Sequence, residues 1–99
     1  MANVIVQGVF LVEPTERDQF IEASIEGMRA SRAEVGCIEY VFAADPLDPG
    51  RIVLSERWES MDLLQQHLKG SAARPRGNRP KPQSAEIVIY EVASATKLV

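Results

Sequence analysis

The sequence predicts an α+β domain in the order β-α-β-β-α-β, one antiparallel sheet backed by two helices on a single face. Three observations point there. Four runs rich in β-branched and apolar residues are separated by two stretches of helical periodicity. The two central runs, 37–44 and 51–58, are joined by Asp, Pro and Gly residues that suit a hairpin turn. The third run ends in the only tryptophan, Trp58, and leads straight into a short helix carrying the only histidine, His67.

The first strand, 3–12 (NVIVQGVFLV), is apolar on both faces: Val4, Val6, Phe10 and Val12 on one, Ile5, Val9 and Leu11 on the other. Glu13 and Pro14 end it, and Thr15 with Asp18 resembles a capping box with Asp in place of the usual Glu or Gln. A helix then spans about 16–32. Phe20, Ile21, Ser24, Ile25 and Met28 form its inward stripe, while Glu16, Glu22, Glu26 and Arg29 face solvent. Gly27 costs the helix up to about 1 kcal/mol against Ala, which suggests close packing there.

Gly36 supplies a turn or left-handed position before the second strand, 37–44 (CIEYVFAA), again apolar on both faces except for Glu39. The third strand, 51–58, follows the hairpin turn at 45–50. Ser60 is an N-cap and Asp62 puts a negative charge in the first helical turn. His67 then lies about two turns into the helix. Residues 70–83 are rich in Gly, Pro and basic side chains, and 85–92 (AEIVIYEV) is the last strand, with a tail to Val99 able to extend it. The order describes a ferredoxin-like arrangement. Two helices can cover one sheet face only, so a second apolar face calls for a homodimer with sheets packed face to face.

The 99 residues make one domain, 1–99, that leaves much apolar surface exposed unless a partner covers it. Apolar residues at 45%, charged residues at 25% and a net charge of −3 fit a soluble globular chain rather than a disordered one. No stretch approaches the roughly 20 apolar residues of a membrane helix, and the N-terminus lacks the basic region of a signal peptide. A single cysteine excludes an internal disulfide and fits a reducing cytoplasm; Cys37 and His67 alone do not make a zinc site. No Gly-rich phosphate loop or internal repeat is present.

Two segments resemble a known family. Residues 34–40 (EVGCIEY) are similar to its E-x-G-C-x-x-Y segment, and 56–60 (ERWES) followed by Leu64, His67 and Leu68 to its E-x-W-E-S…L-x-x-H-L segment. The family is that of the antibiotic biosynthesis monooxygenases, quinol monooxygenases included, and the likeness covers roughly 4–68. It implies a dimeric α+β barrel, a pocket between sheet and helices, and oxidation of quinol- or polyketide-like aromatics by O2 without metal, flavin or haem. Trp58 stands where polyketide-oxidising members carry a pocket tryptophan. Leu54 and Leu64 replace the family's Asn and Tyr around it, which puts the same substrate class in doubt. The haem-degrading branch needs an Asn, Trp and His triad. Here Gln7 and His67 fall at the first two positions and no second histidine exists, so haem degradation is disfavoured.

The expected function is therefore a cytoplasmic, cofactor-independent monooxygenase acting on a small aromatic substrate, with His67 and Trp58 as the catalytic candidates. A histidine changes charge near neutral pH and suits a general base; the alternative is a structural histidine in the pocket wall or dimer seam. Trp58 can stack on an aromatic ligand and donate its indole N–H, or simply fill core. Tyr40 is a pocket candidate, and Glu39, on the opposite face of its strand, is not. Glu39 or Glu56 on an inner face is expected to pair with Arg57 or a partner's arginine rather than act chemically. Cys37, with no adjacent base, reads as a small buried hydrophobe.

Arg74, Arg76, Arg79 and Lys81 form a run without an acid; setting them aside leaves 7 basic residues against 14 acidic, a net of −7. Such segregation can steer an anionic substrate toward this stretch. Its prolines forbid a helix, so it reads as a solvated loop, with a lid over the pocket as the alternative. Nucleic-acid binding is disfavoured by the net negative charge and the absence of stacking aromatics in the loop. The competing classes are a non-catalytic dimeric barrel that binds a small ligand or assists another enzyme, and an isomerase or cyclase on the same scaffold.

Overall fold

The computed structural model of the protein describes residues 3–75 and 77–99. The elements run β1 (Val4–Leu11), α1 (Arg17–Arg32), β2 (Cys37–Ala44), β3 (Arg51–Trp58), α2 (Met61–Ala73) and β4 (Ser84–Glu91). The four strands form one antiparallel sheet in the order β2-β3-β1-β4, the ferredoxin-like topology. Strand alternation decides which face is core. In β1 every second residue from Val4 is buried, and in β3 Ile52, Leu54, Glu56 and Trp58 are buried while their neighbours are not. Both helices lie on this face. Phe20 of α1 joins Phe10 and Phe42 with ring centroids 5.5–6.0 Å apart.

The entrance to α1 differs from the expected capping box. Pro14–Glu16 form a 3-10 turn with no side-chain cap, closed by the Glu16 N–H donating to Glu13 O at 2.8 Å. Proline's fixed φ at the first position favours this entry, and its missing N–H costs nothing there. At Gly27, among the described residues, the Arg74 guanidinium comes nearest, 3.6 Å from where a Cβ would lie, so the close packing expected of this glycine is ordinary contact. The hairpin turn is as expected. Asp45 Oδ1 accepts from Leu47 N at 2.8 Å, its Oδ2 meets Arg51, and Asp48 Oδ1 accepts from Gly50 N at 3.0 Å.

Gly36 is at φ 86°, and a Cβ on it would come within 3.0 Å of three Leu63 side-chain atoms. Only glycine allows both that backbone and that approach. The turn after α1 is thereby pressed against α2. Ser60 caps α2 as expected, its hydroxyl accepting from Leu63 N at 3.2 Å. The last strand ends at Glu91, and the tail does not lengthen it. The far sheet face is less uniformly apolar than the sequence suggests. Ile5, Val9, Leu11, Val41, Val53, Val88 and Tyr90 surround a polar centre in which Ser55 donates to Glu39 at 2.6 Å and Arg57 lies 3.7 Å from it.

Candidate functional site

Strand register builds one wall of the site. Tyr40, Glu56, Val6 and Ile89 stand in a row across β2, β3, β1 and β4, and Phe42, Leu54, Gly8 and Ile87 form the next row. Helix α2 lays Leu64, His67, Leu68 and Ser71 above them, the i, i+3, i+4, i+7 stripe of a helix face. Because the helices lean toward β2 and β3, the β4 side stays open. Ile87 and Ile89 remain 52% and 42% exposed. The result is a cleft of about 420 Å³ floored by Val6, Phe10, Leu54, Ile87 and Ile89, with Glu56, His67, Ser71 and Arg79 as its ionisable or hydroxyl-bearing lining beside Tyr40. Gly8 keeps the floor low: a Cβ there would sit 3.1 Å from Ile87.

At the inner end the polar groups are chained together. His67 is only 2% exposed, and its Nδ1 lies 3.2 Å from both carboxylate oxygens of Glu34. Its Nε2 is 3.9 Å from Glu56 Oε1. The same oxygen accepts the Trp58 indole N–H at 2.9 Å. The Trp58 and Tyr40 rings pack on the imidazole, at centroid distances of 4.6 and 5.4 Å. Behind Glu34, Arg74 Nη2 stands 3.6 Å from Oε1, and Arg74 Nη1 donates to Gly27 O at 3.4 Å. Burial pushes the Glu56 carboxyl above its usual range and nearby Glu34 adds to this, against the pull of the Trp58 hydrogen bond and of His67. Desolvation, then the two carboxylates, raise the Cys37 thiol, which suits an inert cysteine better than a nucleophile.

The expected site residues are sorted by these contacts. His67 and Tyr40 border the cleft. Trp58 is not part of the cleft lining: it is 0% exposed beneath α2 and donates its indole N–H to Glu56, the core-filling alternative. Arg79 lines the cleft, with its guanidinium 4.6 Å above the Phe20 ring. Arg74 instead lines a smaller recess of about 90 Å³ between α1 and the end of α2, which adjoins the cleft through Tyr40, Phe42, Ser71 and Arg79. Arg76 lies outside the described residues. The basic stretch is not simply solvated: Asn78 O accepts from Gln19, Arg79 rests on Phe20, and Pro82 forms part of the cleft wall.

Two residues that sequence reasoning passed over belong to this site. Glu56 was expected to pair with an arginine, yet Arg57 projects from the opposite face and pairs with Glu39. The signal was present in the alternation, since Leu54, Glu56 and Trp58 share one side of β3. Glu34 opens the 34–40 segment that resembles the family's, but nothing in that segment points to its partner, which is 33 residues away on another element. Among the described residues, no group of three or more His, Cys, Asp or Glu side chains is placed to hold a metal ion. No helix among them is long and apolar enough to cross a membrane.

The sequence profile of the antibiotic biosynthesis monooxygenases matches residues 3–74. This chain belongs to that family. An uncharacterized protein of Synechocystis sp. is 29% identical, over 96% of this chain and 67% of its own length. A Deinococcus radiodurans protein described as a candidate antibiotic biosynthesis monooxygenase shares the fold at TM-score 0.78 and 22% identity, covering 97% of this chain and 98% of that one. A further solved antibiotic biosynthesis monooxygenase gives TM-score 0.72 and 21% identity, with 92% and 99% covered. Membership in the family supports a monooxygenase-type role. The β-α-β-β-α portion inside the match contains Glu34, Tyr40, Glu56, Trp58, His67 and Arg74, while Arg79 and the β4 side of the cleft lie beyond it.

Proposed function

We propose that this protein is a monooxygenase that oxidises a quinol- or polyketide-like aromatic with O2 in the cleft between sheet and α2, with His67 as the general base. The observation that carries the reading is a buried imidazole, flanked by two carboxylates, at the inner end of an otherwise largely apolar cleft. An apolar aromatic is held by Val6, Leu54, Leu64, Ile87 and Ile89, and would itself cover the open β4 side where Ile87 and Ile89 are exposed. His67 takes the proton of its hydroxyl or of an activated CH2, leaving an electron-rich anion able to give electrons to oxygen. For an anthrone-like substrate the CH2 becomes C=O with one oxygen atom, the other leaves as water, and no outside reductant is required. Arg79 at the outer wall suits an anionic substituent on such a ring.

The same reading includes a homodimer that joins the far sheet faces. Its support is the half-exposed apolar ring of Ile5, Val9, Val41 and Val53 with the more exposed Leu11, Val88 and Tyr90. An imidazole between carboxylates also suits proton transfer without oxygen, so an isomerase is the second reading. Oxygen consumption separates the two. Purified protein supplied with a panel of quinols, naphthols and anthrones is expected to take up O2, and His67→Ala to slow this by about a hundredfold or more. Product formation without O2 uptake would replace the monooxygenase with the isomerase, and binding without any product would make the protein a ligand carrier.

A further inference from the structure

We propose that Glu34, in the turn between α1 and β2, is the positioning residue of the site: it fixes His67 in the Nδ1–H tautomer and so turns a bare Nε2 toward Glu56 and the cleft. The inference deepens the general-base reading, on which its kinetic part rests. A carboxylate can only accept, so the nitrogen 3.2 Å from both of its oxygens carries the proton. A neutral imidazole has one N–H, which leaves Nε2 with its lone pair. Free imidazole side chains have no such external constraint; here the choice is imposed by a residue from another element. When Nε2 takes a proton, Glu34 faces the new imidazolium and stabilises it in a site that water scarcely reaches.

Glu34 is itself held. Gly36, at positive φ, presses the turn onto Leu63 of α2, and Arg74 from the end of α2 reaches back to Glu34 Oε1 and Gly27 O. Among the described residues, the charged and titratable groups that meet the imidazole are Glu34 from the turn, Tyr40 from β2, Glu56 from β3 and, through Glu34, Arg74 just past α2. Arg32 at the end of α1 acts on Cys37 and donates to Tyr40 O, away from the ring. Glu34 is therefore the group that meets Nδ1 within hydrogen-bonding distance, and Glu56 sits too far from Nε2, at 3.9 Å, to compete for the tautomer.

The test uses the fact that His67 is the sole histidine, so nitrogen-15 correlation spectra of the full chain report one ring. At a pH above the ring's titration, the wild type is expected to show a protonated Nδ1 and a bare Nε2. Glu34→Ala is expected to lose this pattern toward a mixture or the Nε2–H form, and Glu34→Asp to restore part of it. With a turned-over substrate, Glu34→Ala should lower kcat roughly ten- to a hundredfold with little change in KM and shift its pH profile. Glu34→Gln, which keeps shape and an acceptor but no charge, guards against loss of fold. An Nε2–H tautomer in the wild type, or one unchanged in Glu34→Ala, overturns the inference. Absence of O2 uptake with the tautomer shift intact defeats the monooxygenase reading alone.

Discussion

The Trp58–Glu56 hydrogen bond ties the core to the site, and its strength is measurable. Trp58 Nε1 donates at 2.9 Å to a carboxylate that is 5% exposed, so replacement by Phe leaves a buried acceptor without its donor. A hydrogen bond to an ionised group contributes about 1.5–3 kcal/mol, and the missing indole atoms add a small cavity. Trp58→Phe is therefore expected to cost about 2–4 kcal/mol at pH 8. Glu56→Leu removes the buried charge but leaves the buried Trp58 N–H without its acceptor, a cost of about 1–3 kcal/mol that opposes the gain, and only the double variant removes both partners together. The sign with pH follows from the raised Glu56 pKa. As pH rises above the ordinary value of 4.5, the unfolded chain releases this proton first while the folded chain keeps it, so the wild type loses stability until the raised pKa is passed. Glu56→Leu lacks that loss and should gain on the wild type across the same window. Urea unfolding followed by circular dichroism, on both single variants and the double, gives the coupling energy. It should be about 1.5–3 kcal/mol at pH 8 and smaller at pH 4, where the carboxyl is protonated. A coupling below about 0.5 kcal/mol at both pH values would refute a charge-assisted bond here.

Gly36→Ala is expected to destabilise by about 1–3 kcal/mol through its positive φ and the Leu63 contact, and to lower the melting temperature accordingly. Ser60→Ala should cost about 1 kcal/mol by removing the α2 cap, seen as a lower urea midpoint at unchanged slope. Sedimentation equilibrium should give twice the 11.0 kDa chain mass. Arg57→Glu places like charges against Glu39 at the centre of the far face, and is expected to shift that assembly toward single chains while leaving the cleft intact.

The fold was legible because each element carried its own period. The alternation in β1 and β3, the Ser60 cap and the Asp-rich hairpin all act within a few residues, where sequence spacing and physical spacing agree. The entry to α1 was misread because Thr15 and Asp18 fit a pattern that Pro14 pre-empts by starting a 3-10 turn one residue after Glu13. His67 and Tyr40 were legible as cleft-lining residues because they are unusual side chains on inward positions. For Trp58 the sequence left open a pocket role or core filling, and its burial fits the second, because sequence cannot say that α2 closes over it. Glu56 was visible through its shared face with Trp58 and was set aside on the expectation that a glutamate seeks an arginine. Glu34 was visible as the first residue of a family-like segment, but its pairing with His67 depends on the approach of α2 to a distant turn, which sequence spacing does not show.

The central claim is that the cleft binds a hydroxylated aromatic and that His67 removes its proton. Ultraviolet difference spectroscopy tests this directly, using a naphthol whose anion has its own absorption band. Bound at a pH one to two units below the ligand's own pKa, the naphthol should show the anion band with the wild type and lose it with His67→Ala at saturating ligand. A ligand that saturates the wild-type cleft and keeps the spectrum of the neutral naphthol would contradict the account.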